Sequence, residues 1–489
     1  MTHIWLDSLA NILQPEYIIV IFIGTILGVV VGILPGIGPM SGLVIFMPIA
    51  VRLDPLGALI FSGGIYFGSV YGGSITAIVM NIPGDPTSTA TTLDGYPLSQ
   101  QGRAIEALSV STISSAIGGV IGTLSLILFA PLFAQLIRYI GSPEYSLLGI
   151  LGILMVCIVT PKHIIKCIAL SVVGVIISMI GYSSVTGYTR MTMNITYLTD
   201  GIPIIVFVVG LMGISQAFIF LRYRGTISKT SHISGSVWQG IKLSLMYPLV
   251  TLQASIIGII LGIIPGIGGV SSNYLAYIGA TRLSKDPHTF GTGRIEGVIA
   301  PETSNNATAA ATLIPTLSFG IPGSSVAAVF LGIMMIHGLT PGIMLFREQA
   351  MLTYSFFWGL IICVLAIPII CLPILRYLTK LTIIPTVLLS PIIVMLCTFG
   401  IYMYRGSWLD VCVLYIIGVL GYLLKRKDYP IICIVMGFIL GPIIEANWLR
   451  AVISYSGYSF LYSRPISLVL SGIIITIILT QLIRRPIHE

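Results

Sequence analysis

Apolar runs long enough to cross a lipid bilayer recur from one end of this chain to the other. A helix spans the hydrocarbon core of a bilayer with about 20 apolar residues, and runs such as 17–34, 57–82 and 105–137 approach or exceed that length. These runs do not alternate apolar and polar residues, as the strands of a transmembrane β-barrel would. The sequence therefore predicts an all-α polytopic membrane protein.

The scarcity of charged residues supports the same class. Only 8% of the 489 residues are Asp, Glu, Lys or Arg, against roughly 25% in an average soluble protein. Such a chain cannot cover a water-facing surface with charge. The net charge of +8 is interpreted as loop charge that orients the helices, not as a nucleic-acid-binding surface. The seven cysteines lie in or beside apolar runs without a Cys-x-x-Cys pair, and they are interpreted as packed core residues.

One helix-breaking phrase occurs twice, each time inside an aliphatic run. Residues 32–38 read GILPGIG and residues 262–268 read GIIPGIG. Proline removes a backbone donor and glycine permits unusual backbone angles, so each phrase is expected to end a helix at membrane depth. A plain structural kink is the alternative. The segments at the breaks are too short to cross the bilayer alone, as is typical of transporter binding sites; they are 41–51, 271–281 and 324–336.

The same landmarks follow both phrases in the same order. An Ile-Pro-Gly turn occurs at 82–84 and again at 321–323, and the apolar segment at 202–213 is similar to the one at 429–441. The chain is therefore predicted to contain two copies of one unit. The predicted units are a first transmembrane repeat at 17–222, a basic cytoplasmic linker at 223–242, a second transmembrane repeat at 243–447 and an additional transmembrane helix at 465–483.

The basic residues predict an orientation. The loops 222–242 and 425–427 and the C-terminal tail are rich in Lys and Arg, which predicts that all three are cytoplasmic. The counterpart of 425–427 in the first repeat is 183–200, which holds one Arg and one Asp and is interpreted as an outside loop. Because these corresponding loops are predicted on opposite sides of the membrane, the two repeats must be inverted relative to each other. The N-terminus is then predicted outside and the C-terminus inside.

Backbone groups and small hydroxyls at the breaks are the predicted substrate-binding groups. In lipid, freed backbone groups must be buried in protein or line a wet cavity, where helix N-termini can hold an anion without a buried Arg. Arg103, Arg282 and Arg294 lie near the landmarks and are interpreted as loop charges. The predicted substrate-binding residues are Pro35, Gly36, Gly38, Ser41, Pro83, Gly84, Pro265, Gly266, Gly268, Ser271, Ser272, Asn273, Pro322 and Gly323.

A polar stretch within the second repeat, EGVIAPETSNNATAAA at 296–311, is costly in lipid unless it faces protein or water. Amide and carboxylate oxygens suit a hard cation such as Na⁺, and a lone carboxylate suits a proton relay. A coupling-ion site for Na⁺ or H⁺ is therefore predicted at Glu302, Asn305, Asn306 and Thr308, with Na⁺ near Asn305 and Asn306.

Alternatives exist for the carboxylates. Because Pro301 precedes Glu302, that residue can also be a surface residue at a helix start. Asp85 and Asp94 flank a Thr-rich stretch that leads into a predicted Gly-Tyr-Pro turn, and they are interpreted chiefly as loop or capping residues. No nucleophile elbow, His-Glu-x-x-His or Walker A sequence occurs. The chain is therefore predicted not to be an enzyme, to need no cofactor, and to draw energy from an ion gradient or another subunit.

The sequence resembles the large membrane subunit of the bacterial tripartite tricarboxylate transporters, the TctA family, over roughly 17–440. The similar stretches include YFGSVYGGSITAIVMNIPGD at 66–85 and EGVIAPETSNNA at 296–307. One difference between the two halves is GPMS at 38–41 against GGVS at 268–271.

The resemblance implies an inner-membrane permease that works with a small four-helix membrane subunit. A periplasmic binding protein would deliver a small carboxylate, and a Na⁺ or H⁺ gradient would drive uptake. A passive channel and a membrane-embedded enzyme are the alternatives.

Overall fold

The described part of the chain is almost entirely α-helical, which confirms the predicted all-α class. The computed structural model describes residues 2–34, 38–136, 141–159, 164–183, 185–222, 235–265, 268–381 and 386–483.

The N-terminal helices surround the first Pro-Gly phrase. Pro15 and Pro55 occupy the first helical positions of two of them, where a missing N–H costs nothing. Asp54 caps the helix that follows it by accepting a hydrogen bond from the Gly57 N–H at 3.3 Å. A 3₁₀ turn, Pro86–Ser88, precedes the fifth helix. The helices are α1 (Thr2–Ile12), α2 (Pro15–Ile33), α3 (Gly38–Ala50), α4 (Pro55–Met80), α5 (Thr89–Gln100) and α6 (Ala104–Leu136).

The next segment completes the predicted first repeat and contains the predicted outside loop. That loop holds an antiparallel hairpin, β1 (Gly181–Tyr182) paired with β2 (Thr189–Arg190). Tyr197 anchors the loop by donating a hydrogen bond to Asp410 Oδ1 at 2.6 Å. The helices here are α7 (Ser142–Val159), α8 (Ile164–Ser178), α9 (Ile204–Val208) and α10 (Ser215–Arg222), with a π-helical turn, Val209–Ile214, between the last two.

The second Pro-Gly phrase is surrounded by a similar series of helices. The first two helices of the series meet at an angle of 74°, and the second of them begins at Pro248. The series is α11 (Val237–Leu245), α12 (Pro248–Ile263), α13 (Gly268–Leu283), α14 (Glu296–Ala311), α15 (Leu313–Phe319), α16 (Ser325–Ile336), α17 (Ile343–Arg347) and α18 (Ala350–Leu381).

The C-terminal helices are α19 (Thr386–Arg405), α20 (Trp408–Arg426), α21 (Ile431–Ser454), α22 (Phe460–Ser463) and α23 (Pro465–Ile483). Helix α23 occupies the range expected for an additional helix. Phe207 of α9 stacks on Phe438 of α21 with ring centroids 3.9 Å apart, so the two segments that look alike in sequence also pack on each other.

Seven helices of the described residues are long and apolar enough to cross a membrane, and an eighth span results if the bent pair α11–α12 counts as one. Helices α3, α13 and α16 are shorter, with 13, 16 and 12 residues, as expected for segments beside the breaks. Helix α4 is buried along its whole length from Leu56 to Val79, so it lies at the centre of the protein rather than against lipid.

Corresponding glycines in the two halves make corresponding contacts. A Cβ on Gly28 of α2 would lie 2.6 Å from the carbonyl oxygen of Ile65 on α4, and a Cβ on Gly258 of α12 would lie 2.6 Å from the carbonyl oxygen of Ser304 on α14. Both glycines therefore allow a close approach of two helix backbones. The pair α2–α4 is thus the counterpart of α12–α14. Inversion of the two repeats stays a prediction.

One local prediction is wrong. The predicted Gly-Tyr-Pro turn at 95–97 lies inside α5, with Pro97 within the helix. Thr91, Asp94 and Leu98 of this helix are buried, so packing against the rest of the protein stabilises a helix that the local turn residues oppose.

Candidate functional site

Both halves of the protein contribute to one cavity of about 350 Å³. Its walls come from the first turns of α3 and α13, the two loops that follow Ile-Pro-Gly, and one face each of α4 and α14. The first half contributes Pro39, Tyr66, Val70, Asp85, Pro86 and Thr87, and the second contributes Gly268, Gly269, Val270, Asn305, Thr308, Ala309, Thr312, Pro322, Gly323, Ser324, Ser325 and Val326, with Ile432 of α21.

Two of the walls are helix N-termini created by the Pro-Gly phrases. Helix α3 begins at Gly38 and α13 begins at Gly268, with φ values of +63° and +75°. Glycine is the residue that takes up this left-handed backbone without strain. The first N–H groups of a helix have no partner within the helix and carry partial positive charge, so these ends favour an anion.

The Ile-Pro-Gly loops end in capping residues. Asp85 Oδ2 accepts hydrogen bonds from the backbone N–H of Thr87 at 3.1 Å and from its hydroxyl at 2.6 Å. Ser324 Oγ accepts a hydrogen bond from the Ala327 N–H at 3.1 Å, at the start of α16. The second loop is held close to α14 because a Cβ on Gly323 would lie 2.6 Å from the Thr312 carbonyl oxygen. The loops therefore bring a third helix N-terminus to the cavity.

Asn305 supplies a side-chain donor to the cavity. Its side chain is buried, with 3% of the residue exposed, and among the described residues its Nδ2 atom has no hydrogen-bond partner. Tyr66 of α4 also lines the cavity, and its hydroxyl is hydrogen-bonded to Thr312 Oγ1 at 3.3 Å. A buried N–H group without a partner is costly, and a carboxylate oxygen in the cavity would satisfy it.

No Lys or Arg lines the cavity among the described residues. Arg103 pairs with Glu106 at the start of α6, and Arg294 pairs with Glu296 at 2.6 Å, as expected for charges at helix ends. Among the described lining residues, the groups that favour an anion are therefore helix N-termini and amide donors, and Asp85 is a carboxylate in the same lining.

Helix α14 carries a second polar cluster less than one turn before Asn305. Glu302 is fully buried, and Pro301 lies inside α14 rather than before it, so the alternative surface position for Glu302 is wrong. Its Oε1 accepts a hydrogen bond from Thr91 at 2.5 Å, and its Oε2 accepts one each from Ser111 and Ser115 at 2.9 Å. Hydroxyls from α5 and α6 thus surround a carboxylate from α14.

Asp94 is buried but has a different environment. Its Oδ1 accepts hydrogen bonds from the backbone N–H groups of Gly291, Gly293 and Arg294 at 2.8–2.9 Å, and its Oδ2 accepts one from Tyr277 at 2.8 Å. Asp94 therefore caps the loop before α14 and joins α5 to the second half, in agreement with its interpretation as a capping residue.

Several predicted site residues pack around the cavity instead of lining it. Ser272 Oγ lies 2.6 Å from Thr308 Oγ1, and Asn273 donates to the Thr87 carbonyl oxygen at 2.7 Å. Asn306 Nδ2 donates to the Ser115 carbonyl oxygen at 3.1 Å, and its Oδ1 has no partner among the described residues. These contacts fix α13 and α14 relative to the first half and leave the Asn306 oxygen without a hydrogen-bond partner among the described residues.

The structure brings only part of the predicted set to the cavity surface. The predicted residues that line it are Gly268, Asn305, Thr308, Pro322 and Gly323. Those with described positions that do not are Gly38, Ser41, Pro83, Gly84, Pro265, Ser271, Ser272, Asn273, Glu302 and Asn306. Pro35, Gly36 and Gly266 lie outside the described residues.

Sequence reasoning missed the contribution of α4. Tyr66 and Val70 of α4 line the cavity together with Asn305 and Ala309 of α14, at matching distances before the two Ile-Pro-Gly turns. Extending the alignment of the two halves back from those turns would have identified this wall.

The cysteines are buried at six of the seven positions, and Cys412 is exposed. The sulfur atoms of Cys157, Cys167 and Cys433 lie within 4.8 Å of one another. A thiol must lose its proton to bind a metal, which is unfavourable in apolar surroundings. Packing therefore remains the interpretation of these side chains.

Comparison with known proteins agrees with the geometry. The sequence profile of the tripartite tricarboxylate transporter TctA family matches residues 18–436. An uncharacterized 52.8 kDa protein in the TAR-I ttuC′ 3′ region of Agrobacterium vitis is 34% identical over 460 residues, covering 93% of this chain and 91% of that protein. An uncharacterized protein in the TAR-II ttuC′ 3′ region of the same organism is 36% identical over 221 residues, covering 44% of this chain and 90% of that protein. No solved structure matches this chain. The chain therefore belongs to the tripartite tricarboxylate transporter TctA family, and it is a multi-pass membrane component of a transporter.

Proposed function

We propose that this chain is a secondary-active permease that takes up a small organic carboxylate together with a cation. The observation that carries the proposal is the unpartnered Asn305 Nδ2 in a cavity bordered by the N-termini of α3, α13 and α16. Such a cavity offers hydrogen-bond donors and partial positive charge without a fixed cation. A carboxylate can therefore bind and leave without breaking an ion pair with Arg or Lys.

The coupling ion, Na⁺ or H⁺, would bind beside the cavity on α14. Glu302 with its three hydroxyl donors can hold a proton, because hydroxyls can rotate to accept as well as donate. The unpartnered Oδ1 of Asn306 and the buried Thr303 Oγ1, which has no partner among the described residues, are oxygen ligands of the kind that Na⁺ prefers. Both positions lie within one turn of Asn305, so the ion and the substrate would share one helix.

The proposed partners are a periplasmic binding protein that delivers the carboxylate and a small four-helix membrane subunit. Membership of a tripartite transporter family supports this proposal. The proposed location is the bacterial inner membrane, with the N-terminus outside and the cytoplasmic basic linker at 223–242. Of that linker, residues 223–234 lie outside the described residues.

The test is uptake into proteoliposomes that contain this chain, the four-helix subunit and the binding protein. A panel of labelled carboxylates with one, two or three carboxylate groups is offered with and without Na⁺ and pH gradients. Uptake of at least one carboxylate should require the binding protein and should collapse when ionophores dissipate the gradients. Undiminished flux without a gradient would support a passive channel instead, and no flux of any carboxylate would contradict the proposed substrate class.

A further inference from the structure

The two walls of the cavity carry different backbone chemistry at matching positions. After the Pro-Gly phrases, the first half has Pro39 where the second has Gly269; after the Ile-Pro-Gly turns, the first half has Pro86 where the second has Ser325. Proline has no N–H group. The first-half wall therefore lacks a backbone donor at both positions where the second-half wall has one.

The capping residues of the two loops also differ. Asp85 and Ser324 each follow an Ile-Pro-Gly turn, and each accepts a hydrogen bond from the backbone at the start of the next helical segment. Only Asp85 adds a negative charge to the cavity wall. Its Oδ1 atom lies 3.0 Å from the position of a Cβ on Gly38, at the first residue of α3.

The N-termini of α3 and α13 consequently differ in how available they are to a bound anion. That of α3 already lies beside a carboxylate of the chain itself, whereas no atom of the described residues lies within 4 Å of the corresponding Cβ position at Gly268 of α13. Beside α13, the Asn305 donor is buried and unpartnered. The second-half wall is therefore the anion-binding side of the cavity, and the first-half wall opposes an anion.

We propose that Asp85 is a specificity-determining residue that restricts the carboxylate groups of the substrate to the second-half wall. This inference rests on the proposed function. A substrate would bind with its carboxylates toward α13, α16 and Asn305, and with a neutral part, such as methylene or hydroxyl groups, toward Asp85. A further carboxylate placed at the first-half wall would be repelled by Asp85, because like charges a few Å apart interact strongly in a protein interior.

The test exchanges the two capping residues in the assembled transporter. Asp85→Ser and Ser324→Asp each keep a good N-cap residue, so both variants are expected to fold. The probes are glutarate and tricarballylate, which differ by one carboxylate group on similar carbon chains, and affinity is measured from the ligand-dependent rise in melting temperature. Asp85→Ser should shift the affinity ratio toward tricarballylate by about tenfold or more. Ser324→Asp should weaken both probes by about tenfold or more.

An unchanged ratio in Asp85→Ser would overturn the inference, and so would undiminished binding in Ser324→Asp. Loss of cation dependence in Asp85→Ser with an unchanged ratio would identify Asp85 as a cation ligand instead. If Asp85→Ser does not fold, the isosteric Asp85→Asn replaces it, and Ser324→Asp tests the same claim independently. If neither probe nor any other carboxylate binds the unaltered transporter, the proposed function fails and this inference fails with it.

Discussion

Two buried polar side chains three residues apart on helix α14 have opposite environments. Asn305 lines the cavity, and its Nδ2 donor has no partner among the described residues. Glu302, less than one turn away, accepts hydrogen bonds from three hydroxyls. A buried group that lacks a partner is costly unless a ligand completes it, whereas a satisfied one stabilises the fold. The comparison teaches that one turn of a helix can hold both a group that favours a ligand and a group that the fold has already satisfied.

The largest effect is expected from Asn305→Asp. This change removes the donor and adds a charge that repels a carboxylate, so carboxylate affinity should fall about 100-fold, since a charge-assisted hydrogen bond contributes about 1.5–3 kcal/mol. The measurement is equilibrium binding of the carboxylate that stabilises the unaltered transporter best. An affinity within threefold of the original would show that Asn305 does not contact the substrate.

Glu302→Gln should have the next largest effect, on coupling rather than on binding. The amide keeps the size of the side chain but cannot bind and release a proton, and it carries no charge for a cation. Gradient-driven uptake should fall by about tenfold or more, the effect expected from losing an interaction of about 1.4 kcal/mol. Carboxylate affinity should stay within threefold. Uptake that keeps its full dependence on the gradient would assign Glu302 a purely structural role.

Asp94→Ala tests whether Asp94 has a structural role that is distinct from the coupling role proposed for Glu302. The change leaves three backbone N–H groups of the loop before α14 without an acceptor, so it should lower the free energy of unfolding by about 2–3 kcal/mol. The melting temperature of the purified transporter reports this loss. The cation dependence of the remaining uptake should be unchanged; a change in that dependence would mean that Asp94 belongs with Glu302.

Tyr66→Phe is expected to have the smallest effect, and it is the matched control for Asn305. Tyr66 occupies the corresponding position on α4 of the first half, and its hydroxyl is already hydrogen-bonded to Thr312. Because Thr312 also donates to the Ala309 carbonyl oxygen at 2.8 Å, the variant should lose about 1 kcal/mol of stability. Carboxylate affinity should change less than threefold. A loss as large as that of Asn305→Asp would contradict the distinction between the two walls.

Local sequence predicted the breaks in the helices well. Proline and glycine at the Pro-Gly phrases predicted where α2 and α12 end, because no side chain elsewhere can restore the missing donor or the permitted backbone angles. The same reasoning misread 95–97 as a turn, since burial of α5 against the rest of the protein outweighs the cost of Pro97. Proline and glycine are therefore most informative about helix ends where tertiary packing does not oppose them.

The site was harder to predict because its contacts join distant segments. Asn305 stood out as a polar residue in an apolar stretch, and it lines the cavity. The hydroxyls that surround Glu302 come from Thr91, Ser111 and Ser115, and in the sequence each of them looks like an ordinary helix residue. Only the packing of α14 against α5 and α6 gives these residues a shared role.

The most direct measurement is a structure of the transporter with a bromine-labelled dicarboxylate, such as 2-bromosuccinate, bound at saturation. The account predicts a carboxylate oxygen about 3 Å from Asn305 Nδ2, beside the first turn of α13, with the Glu302 carboxylate still surrounded by its hydroxyls. A carboxylate bound outside the cavity, or a cation in contact with Asn305 in its place, would contradict the account.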